Sequence, residues 1–297
     1  MARDAALPAT PRALIVSAAR RFCRAGLFFG HGTDNAVDEA AFLVLHALGL
    51  PPDAGDEVLD RPLNAASHAI AENLLALRLH RRCPAAYLTQ RMWFAGHEFY
   101  VDERVLVPRS PLAELIKARF APWLQADRVA RILDIGTGSG CIALACALAF
   151  PAAAVDATDL SVDALAVAAI NRTRHGLDAR VRLLEANLFP VDGGHYDLIV
   201  SNPPYVPAAR MLELPQEYRE EPAMALTAGD EGFACVDGIL AGAAATLAPH
   251  GVLIVEVGEI AAAVDQRYEH LPLTWIEFKH GGEGVFVVSR EDLVRAL

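Results

Sequence analysis

The first 88 residues carry their apolar side chains at the spacing of helices. In residues 11–27, 34–48 and 64–82, apolar positions recur every three or four residues, which places them on one face of a helix. Asp34 is suited to cap the start of the second helix. None of these segments holds a motif typical of catalysis. We therefore expect residues 1–88 to form a small helical domain that positions a substrate.

The pattern changes at residues 91–107, where aromatic and β-branched residues lie on both sides of Gly96. Such runs about a central glycine are typical of a β-hairpin. Pro108 closes the second run. The sequence therefore predicts a hairpin linker at residues 89–110.

From Arg131 onward, short apolar runs alternate with helical segments. Strands are predicted at 131–135, 153–157, 180–184, 196–201, 251–257, 273–278 and 284–288. Helices are predicted at about 139–149, 161–173, 235–247 and 259–268. This alternation is typical of a doubly wound α/β fold with a mostly parallel sheet. We expect residues 111–297 to form this larger domain, with a sheet of seven strands.

Composition and charge narrow the classes of partner. A chain of 297 residues that is 54% hydrophobic and 21% charged can bury a sizeable core, which excludes a disordered or fibrous protein. Residues 1–130 hold 15 Lys and Arg against 14 Asp and Glu, whereas residues 131–297 hold 11 against 23. The acidic part repels phosphate backbones and attracts cations. We therefore expect a basic protein as partner, with no direct requirement for nucleic acid.

The cysteines and the apolar runs bear on cofactor and compartment. The five cysteines form no Cys-x-x-Cys pair and their number is odd, which argues against a zinc site or a disulfide framework. Arginines interrupt the apolar stretch after Ala13, so no signal peptide is recognised. The uncharged run 239–255 contains a proline and a glycine, so it is interpreted as helix, turn and strand and not as a membrane span. The sequence predicts a cytoplasmic protein with no metal and no membrane contact.

The first candidate site is a predicted strand that leads into a glycine-rich turn and a helix, Asp134-Ile135-Gly136-Thr137-Gly138-Ser139-Gly140. Glycines let the backbone approach a ligand closely, and amides at a helix start favour an anionic group. A dinucleotide site would carry Gly or Ala at the position of Cys141, so the spacing instead resembles that of class I S-adenosylmethionine-dependent methyltransferases. The resemblance implies a Rossmann-like fold and this cofactor, with S-adenosylhomocysteine as product. The implied contacts are Asp134, Gly136, Thr137, Gly138, Ser139 and Gly140. By itself the pattern is also that of a tight strand–helix connection.

Further positions extend this cofactor site. Asp159 ends the next predicted strand, and its two oxygens can accept hydrogen bonds from both hydroxyls of a ribose. Asp159 is equally placed to cap the helix that begins near Ser161. Asn187 follows the third strand, where class I methyltransferases often place an Asp against the adenine amino group. With Asn at that position, the backbone of Leu188 is the alternative adenine contact.

The second candidate site follows another predicted strand and reads Asn202-Pro203-Pro204-Tyr205. It lies at the carboxyl edge of the sheet, where α/β folds bind ligands. An NH2 group on a planar carbon is a poor nucleophile because its lone pair is delocalised. The side-chain oxygen of Asn202 and the carbonyl of Pro203 can accept its two N–H bonds and aim the nitrogen at a methyl donor, while Tyr205 supplies a flat face. The motif predicts methylation of a planar-linked NH2, and a proline-rich turn without function is the alternative.

Over nearly its whole length the chain resembles the HemK/Prm family of protein-(glutamine-N5) methyltransferases, which share the order of helical domain, hairpin and catalytic domain. Residues 94–111 and the run Gly282-Glu283-Gly284-Val285-Phe286 resemble the branch that modifies large-subunit ribosomal protein L-three. The resemblance implies methyl transfer to a glutamine side-chain amide of that basic protein, with Asn202, Pro203 and Tyr205 as catalytic residues. It also implies that the substrate is bound by Asn202, Pro203, Pro204, Tyr205, Phe94, Phe99 and Arg109.

Several of these residues have a second interpretation. Phe94 and Phe99 fit packing within the hairpin as well as a substrate mouth. Arg109 fits an ion pair with a carboxylate as well as substrate binding. Glu221 matches a family segment to which the sequence assigns no mechanism.

Other functions share parts of this pattern. A release-factor glutamine methyltransferase would use the same chemistry, but that branch typically continues Pro-Arg with Pro-Asp-Thr-Glu, where this chain has Ser110-Pro111-Leu112-Ala113. A nucleic-acid methyltransferase acting on adenine N6 or guanine N2 should carry a basic groove. A nicotinamide-dependent oxidoreductase is disfavoured by Cys141, and an inactive binding module by the presence of Asn202.

Overall fold

The computed structural model describes residues 9–229, 231–279 and 281–296. The chain divides into two compact units. The first comprises the chain up to Arg91 together with Pro215–Glu220, and the second comprises Met92–Leu214 and the chain from Glu221 onward. A short segment from the C-terminal half is therefore built into the helical unit, a feature that the sequence does not predict.

The helical unit contains α1 (Pro11–Arg24), α2 (Ala36–Ala47), α3 (Asp56–Leu59), α4 (Ala65–Arg81), α5 (Ala85–Thr89) and a 3-10 turn at Gln216–Glu220. Side-chain caps fix the starts of the longer helices: Asn35 accepts from the backbone N–H of Val37 and Asp38. The cap of α2 is thus Asn35 and not Asp34, because the helix begins one residue later than predicted. The apolar faces meet in a core that includes Phe22, Leu43 and Leu75.

The predicted hairpin is present as β1 (Met92–Phe94) and β2 (His97–Phe99), which pair antiparallel. Ala95 and Gly96 both have positive φ, at 52° and 94°, which is the turn geometry that matches the twist of a two-residue hairpin. The chain then continues to α6 (Leu112–Lys117) without further strand pairing among the described residues.

The second unit is built on a sheet that has seven strands among the described residues. They are β3 (Arg131–Ile135), β4 (Ala154–Asp159), β5 (Val181–Glu185), β6 (Tyr196–Ser201), β7 (Leu247–Glu256), β8 (Thr274–Trp275) and β9 (Val285–Ser289). Their order is β5-β4-β3-β6-β7-β9-β8. Among the described residues, β9 runs antiparallel to both of its neighbours, β7 and β8, and the other pairs are parallel, so the sheet is mostly parallel, as predicted.

Helices cover both faces of the sheet. They are α7 (Cys141–Ala149), α8 (Val162–Arg174), α9 (Ala234–Thr246), α10 (Ala261–Arg267) and α11 (Arg290–Ala296). The strands are apolar runs because side chains on both of their faces are buried, in two separate clusters that meet the two helical layers. Cys141 and Cys146 belong to one of these clusters.

In the ranges that the structure describes, no helix combines the length and the apolar character that crossing a membrane requires.

Candidate active site

The glycine turn follows β3 and lies at the carboxyl edge of the sheet. Gly136, Gly138 and Gly140 have φ values of 72°, 54° and 80°, a region that side chains rarely adopt. A Cβ at Gly136 or Gly138 would meet nothing within 4 Å, so the turn has open space beside it. A Cβ at Gly140 would lie 3.1 Å from the Cβ of Ala168, so this glycine instead allows α7 and α8 to pack closely.

Asp134 supports this turn from behind. Its Oδ2 accepts hydrogen bonds from the hydroxyl of Thr137 at 2.6 Å and from the backbone N–H of Ala143 at 3.0 Å. Its Oδ1 is buried and has no hydrogen-bond partner among the described residues. Burial raises the pKa of Asp134 to about 7. These contacts tie the turn to the first residues of α7.

Asp159 ends β4 and faces the same turn. Its Oδ2 accepts from the backbone N–H of Gly138 at 2.8 Å, and its Oδ1 accepts from the N–H of Ser161 at 2.9 Å. The cap of α8 is the hydroxyl of Ser161, which accepts from the N–H of Ala164. Each carboxylate oxygen of Asp159 keeps capacity for a second donor. Burial raises the pKa of this carboxyl.

The residues after β5 are held in an unusual conformation. Leu188 has a positive φ of 69°, and its carbonyl accepts from the hydroxyl of Thr158 at 2.7 Å. Helix α9 approaches this turn closely, because a Cβ at Gly238 would lie 2.4 Å from the Leu188 side chain. A Cβ at Gly242 would lie 2.3 Å from the ring of Phe189. Two glycines four residues apart in α9 are the sequence signal for this contact.

Asn202 emerges from the end of β6 beside the glycine turn. The hydroxyl of Ser201 donates to the carbonyl of Ile135 at 2.7 Å, which joins the ends of β6 and β3. The hydroxyl of Tyr205 donates to Glu256 at 3.4 Å. Its ring packs against Gly258, where an added Cβ would lie 2.6 Å from the ring.

Glu256, at the end of β7, is a buried carboxylate that no sequence motif indicates. It is 5% exposed and accepts hydrogen bonds from the hydroxyls of Ser110 and Tyr205. Burial raises its pKa to about 7, although the hydrogen bonds from these hydroxyls and the charge of Arg109 act in the opposite direction. Its signal in the sequence is a lone carboxylate at the carboxyl end of an apolar strand.

Arg109 forms an ion pair with the buried carboxylate of Glu221, which gives Glu221 a structural role. Both terminal nitrogens of Arg109 donate to the carboxylate, at 2.6 and 2.7 Å, and the backbone N–H of Val107 donates to it at 2.9 Å. This bidentate pair joins the segment after the hairpin to the segment after Glu221. Of the two interpretations of Arg109, the structure contains the carboxylate pairing.

These elements surround a cavity of about 340 Å³, within the range of small-molecule sites. The predicted site residues that line it are Gly136, Thr137, Gly138, Ser139, Asp159, Asn187, Leu188, Asn202, Pro203, Pro204 and Arg109. Asp134, Gly140 and Tyr205 do not line the cavity and make the contacts described above.

Phe94 and Phe99 are placed differently from the substrate mouth that the resemblance implies. They are 4% and 0% exposed, belong to an apolar core cluster, and contact each other edge to face with ring centroids 6.4 Å apart. Neither lines the cavity. We therefore assign both rings to packing, because each points inward from the hairpin.

Comparisons with known proteins agree with this architecture. Residues 118–231 match the family model described as methyltransferase small domain. The chain is 46% identical over 286 residues to the ribosomal protein uL3 glutamine methyltransferase of Neisseria meningitidis serogroup A, covering 96% of this chain and 94% of that protein. It is equally similar to the enzyme of the same name from Neisseria gonorrhoeae, covering 96% of each chain.

Among solved structures, the chain is similar in fold to the hMettl16 catalytic domain in complex with the MAT2A 3'UTR hairpin 6. The TM-score is 0.51 at 16% sequence identity, covering 76% of this chain and 81% of that one. At this identity the likeness concerns the fold alone.

Proposed function

The chain belongs to the ribosomal protein uL3 glutamine methyltransferases, and on this basis we propose that it methylates the side-chain amide nitrogen of a glutamine in uL3, the large-subunit protein L-three. The methyl donor is S-adenosylmethionine. The observation that carries the proposal is that Asn202 and Pro203 line the same cavity as the glycine turn and Asp159. The two residues that could accept hydrogen bonds from an NH2 group and the candidate nucleoside site therefore line the same cavity.

The residues on this cavity wall fit the methyl donor. The turn at Gly136 and Gly138 offers a backbone surface with no side chain in the way. Asp159 is already fixed by two backbone amides, so its oxygens are oriented before a ribose arrives. Asn187 and Leu188 line the cavity where the base would lie against them. When bound, S-adenosylmethionine supplies a methyl group made electrophilic by the positively charged sulfur.

The chain itself aligns a weak nucleophile. The side-chain oxygen of Asn202 and the carbonyl of Pro203 would accept the two N–H bonds of the glutamine amide. Pro203 and Pro204 remove two backbone donors and fix the direction of that carbonyl. The two acceptors then stabilise the positive charge that grows on the amide nitrogen. No strong base is required, because the methylated amide loses its extra proton readily to water.

Two features support uL3 as substrate over a release factor. The relatives that are 46% identical carry the uL3 name, and residues 131–297 hold 11 basic against 23 acidic residues. A basic ribosomal protein is steered toward an acidic surface. Since ribosomal proteins are made and assembled in the cytoplasm, we propose that the reaction takes place there.

The test is labelled methyl transfer with three acceptors in parallel: purified uL3, a release factor and ribosomal RNA. We expect one methylated glutamine in uL3 by mass spectrometry, at a rate that falls as salt rises, because exposed charges are screened beyond about 8–10 Å. Methylation of the release factor alone would reassign the substrate. Label in RNA alone would contradict a protein substrate.

The same assay tests the role of Asn202. Asn202→Ala should lower turnover at least about a hundredfold, the scale for one preorganised polar contact in a transition state. Binding of the methyl donor, measured by calorimetry, should change little. The matched control is Asn35→Ala, the same chemical change at the cap of α2, which should retain turnover. Near-normal turnover of Asn202→Ala would exclude the alignment mechanism.

A further inference from the structure

One buried amide bonds to two parts of the chain that lead to the cavity from different directions. Asn171 lies in α8 and is 0% exposed. Its Oδ1 accepts from the backbone N–H of Tyr100 at 2.7 Å, and its Nδ2 donates to the backbone carbonyls of Tyr100 at 2.9 Å and of Ser139 at 2.8 Å. The amide thus bonds through its oxygen and its NH2 group, and the partners in these three bonds are backbone atoms.

The first partner belongs to the glycine turn. Ser139 lines the cavity and stands between Gly138, whose N–H donates to Asp159, and Gly140. A donor on the carbonyl of Ser139 fixes the peptide group that connects Ser139 to Gly140. The orientation of the turn is therefore held from α8 as well as from Asp159.

The second partner opens the segment 100–108, which leads from the hairpin to the cavity and lies outside the strands. Asn171 holds the backbone of this segment at Tyr100, and the carboxylate of Glu221 holds it at Val107 with a bond of 2.9 Å. Four residues of the segment line the cavity, namely Arg104, Val105, Leu106 and Pro108. The position of this wall therefore depends on side-chain bonds and not on a strand ladder.

Bonds within the segment connect Tyr100 to the cavity wall. The hydroxyl of Tyr100 donates to Asp102 at 2.8 Å, and the guanidinium of Arg104 donates to both oxygens of the same carboxylate, at 2.9 and 2.6 Å. The guanidinium of Arg174, one turn after Asn171 in α8, lies 5.0 Å from the centre of the Tyr100 ring. A displacement of Tyr100 would therefore move Arg104, which lines the cavity.

We propose that Asn171 is a positioning residue, which sets the spacing between the glycine turn and the segment 100–108. Asn171 does not itself line the cavity, so it acts through the two backbone segments that it bonds. Methyl transfer requires that the acceptor nitrogen, the methyl carbon and the sulfur lie in line, and misplacement by about 1 Å can cost about a hundredfold in rate. One amide that bonds both segments keeps this spacing constant.

The same bonds couple the methyl donor to the segment 100–108. S-adenosylmethionine on the glycine turn restrains Ser139, and Asn171 passes this restraint to Tyr100. Binding at one place and order at the other are then linked reciprocally. The link should therefore be visible in the exchange of backbone amides, without any turnover.

Hydrogen–deuterium exchange measures this coupling. The amides of residues 100–103, which do not line the cavity, should exchange more slowly when S-adenosylmethionine saturates the wild-type protein. In Asn171→Ala at saturating cofactor this slowing should be lost, whereas slowing in the glycine turn should remain. Equal slowing of residues 100–103 in the variant, or no slowing in the wild type, would overturn the proposal.

A second variant tests positioning by kinetics, and this test rests on the proposed function. Asn171→Asp keeps the size and the acceptor oxygen but leaves at least one of the two carbonyls without a donor. We expect kcat for uL3, per folded molecule, to fall about tenfold or more. The matched control is Tyr196→Phe, which loses a buried bond of 2.7 Å to Asp156 at the start of β6 and should keep the wild-type kcat.

Urea denaturation gives the folded fraction of each variant, so that loss of structure is separated from loss of positioning. A folded Asn171→Asp protein with the wild-type kcat would refute the inference, and so would an equal loss of kcat in Tyr196→Phe. If the wild-type enzyme methylates no uL3, the proposed function fails. The exchange experiment still decides the inference in that case, since it requires only the cofactor.

Discussion

Two buried glutamates, one in each unit, are held in opposite ways. Glu217, in the segment that belongs to the helical unit, is 0% exposed and lies 3.3 Å from Arg78 and 3.1 Å from Arg82. Burial alone would raise its pKa, but the backbone N–H of Phe28 and the two guanidinium groups lower it overall. Glu256 has neutral donors, and burial raises its pKa to about 7.

Glu217 serves to join chain segments, whereas Glu256 can change its protonation state and so affect the side chains bonded to it. Glu217 is neutralised by fixed positive charges, so its protonation state is constant near neutral pH and its contacts are permanent. Glu256 titrates in the range where the enzyme would work. Asp159 resembles Glu256, because its donors are the backbone amides of Gly138 and Ser161 and burial raises its pKa. Carboxylates with neutral donors therefore cluster at the candidate site.

The largest expected effect concerns the helical unit. Arg78→Met should lower the free energy of unfolding by about 3–5 kcal/mol, because it leaves the buried carboxylate of Glu39 without its cation and that of Glu217 with Arg82 alone. Urea denaturation measures this change. The control is Arg12→Ala, which breaks exposed pairs with Asp56 and Asp60 and should change stability little. Equal effects of the two variants would remove the contrast between buried and exposed pairs.

The next largest effect concerns Asp159, which, like Glu256, accepts hydrogen bonds from uncharged donors. Asp159→Ala should weaken binding of S-adenosylmethionine by about 1–3 kcal/mol, because two ribose hydroxyls would lose their acceptor. Calorimetry on the folded variant measures this. Asp163→Ala, an exposed acid in the first turn of α8, is the matched control and should bind normally. Unchanged affinity in Asp159→Ala would place the ribose elsewhere.

The smallest expected effect is that Glu217 and Glu256 change the stability of the fold with pH in opposite directions. The folded-state pKa of Glu217 is lowered, so its contribution to stability is present above the unfolded pKa and is lost as pH falls through the folded value. The pKa of Glu256 is raised to about 7, so its contribution is present below the unfolded pKa and is lost as pH rises through about 7.

Replacing each glutamate by glutamine tests this contrast. Relative to the wild type at pH 8, we expect Glu256→Gln to be more stable and Glu217→Gln to be less stable. Urea denaturation at pH 5 and pH 8 gives both values. The same sign for both variants would show that the two environments do not differ as described.

The sequence determined those features that depend on neighbouring residues. Periodicity is local, so the three long helices of the first unit, the hairpin and the seven strands could be predicted to within a few residues, whereas the short helices α3 and α5 could not. The glycine turn and the Asn202-Pro203 pair could be recognised because each is a short motif at the end of a strand. Parallel strands then bring these ends to one edge, and the cavity there contains most of the predicted contacts.

Tertiary structure alone decided which distant residues meet. Ser110 and Glu256 are separated by 146 residues, and Arg109 and Glu221 by 112, so no local pattern encodes either contact. The direction of a side chain also depends on what packs against it. Phe94 and Phe99 enter a core, and Asp134 supports the turn from behind. The sequence supplies the groups that do the chemistry, whereas the packing of distant segments fixes which buried carboxylates meet a cation and which meet only neutral donors.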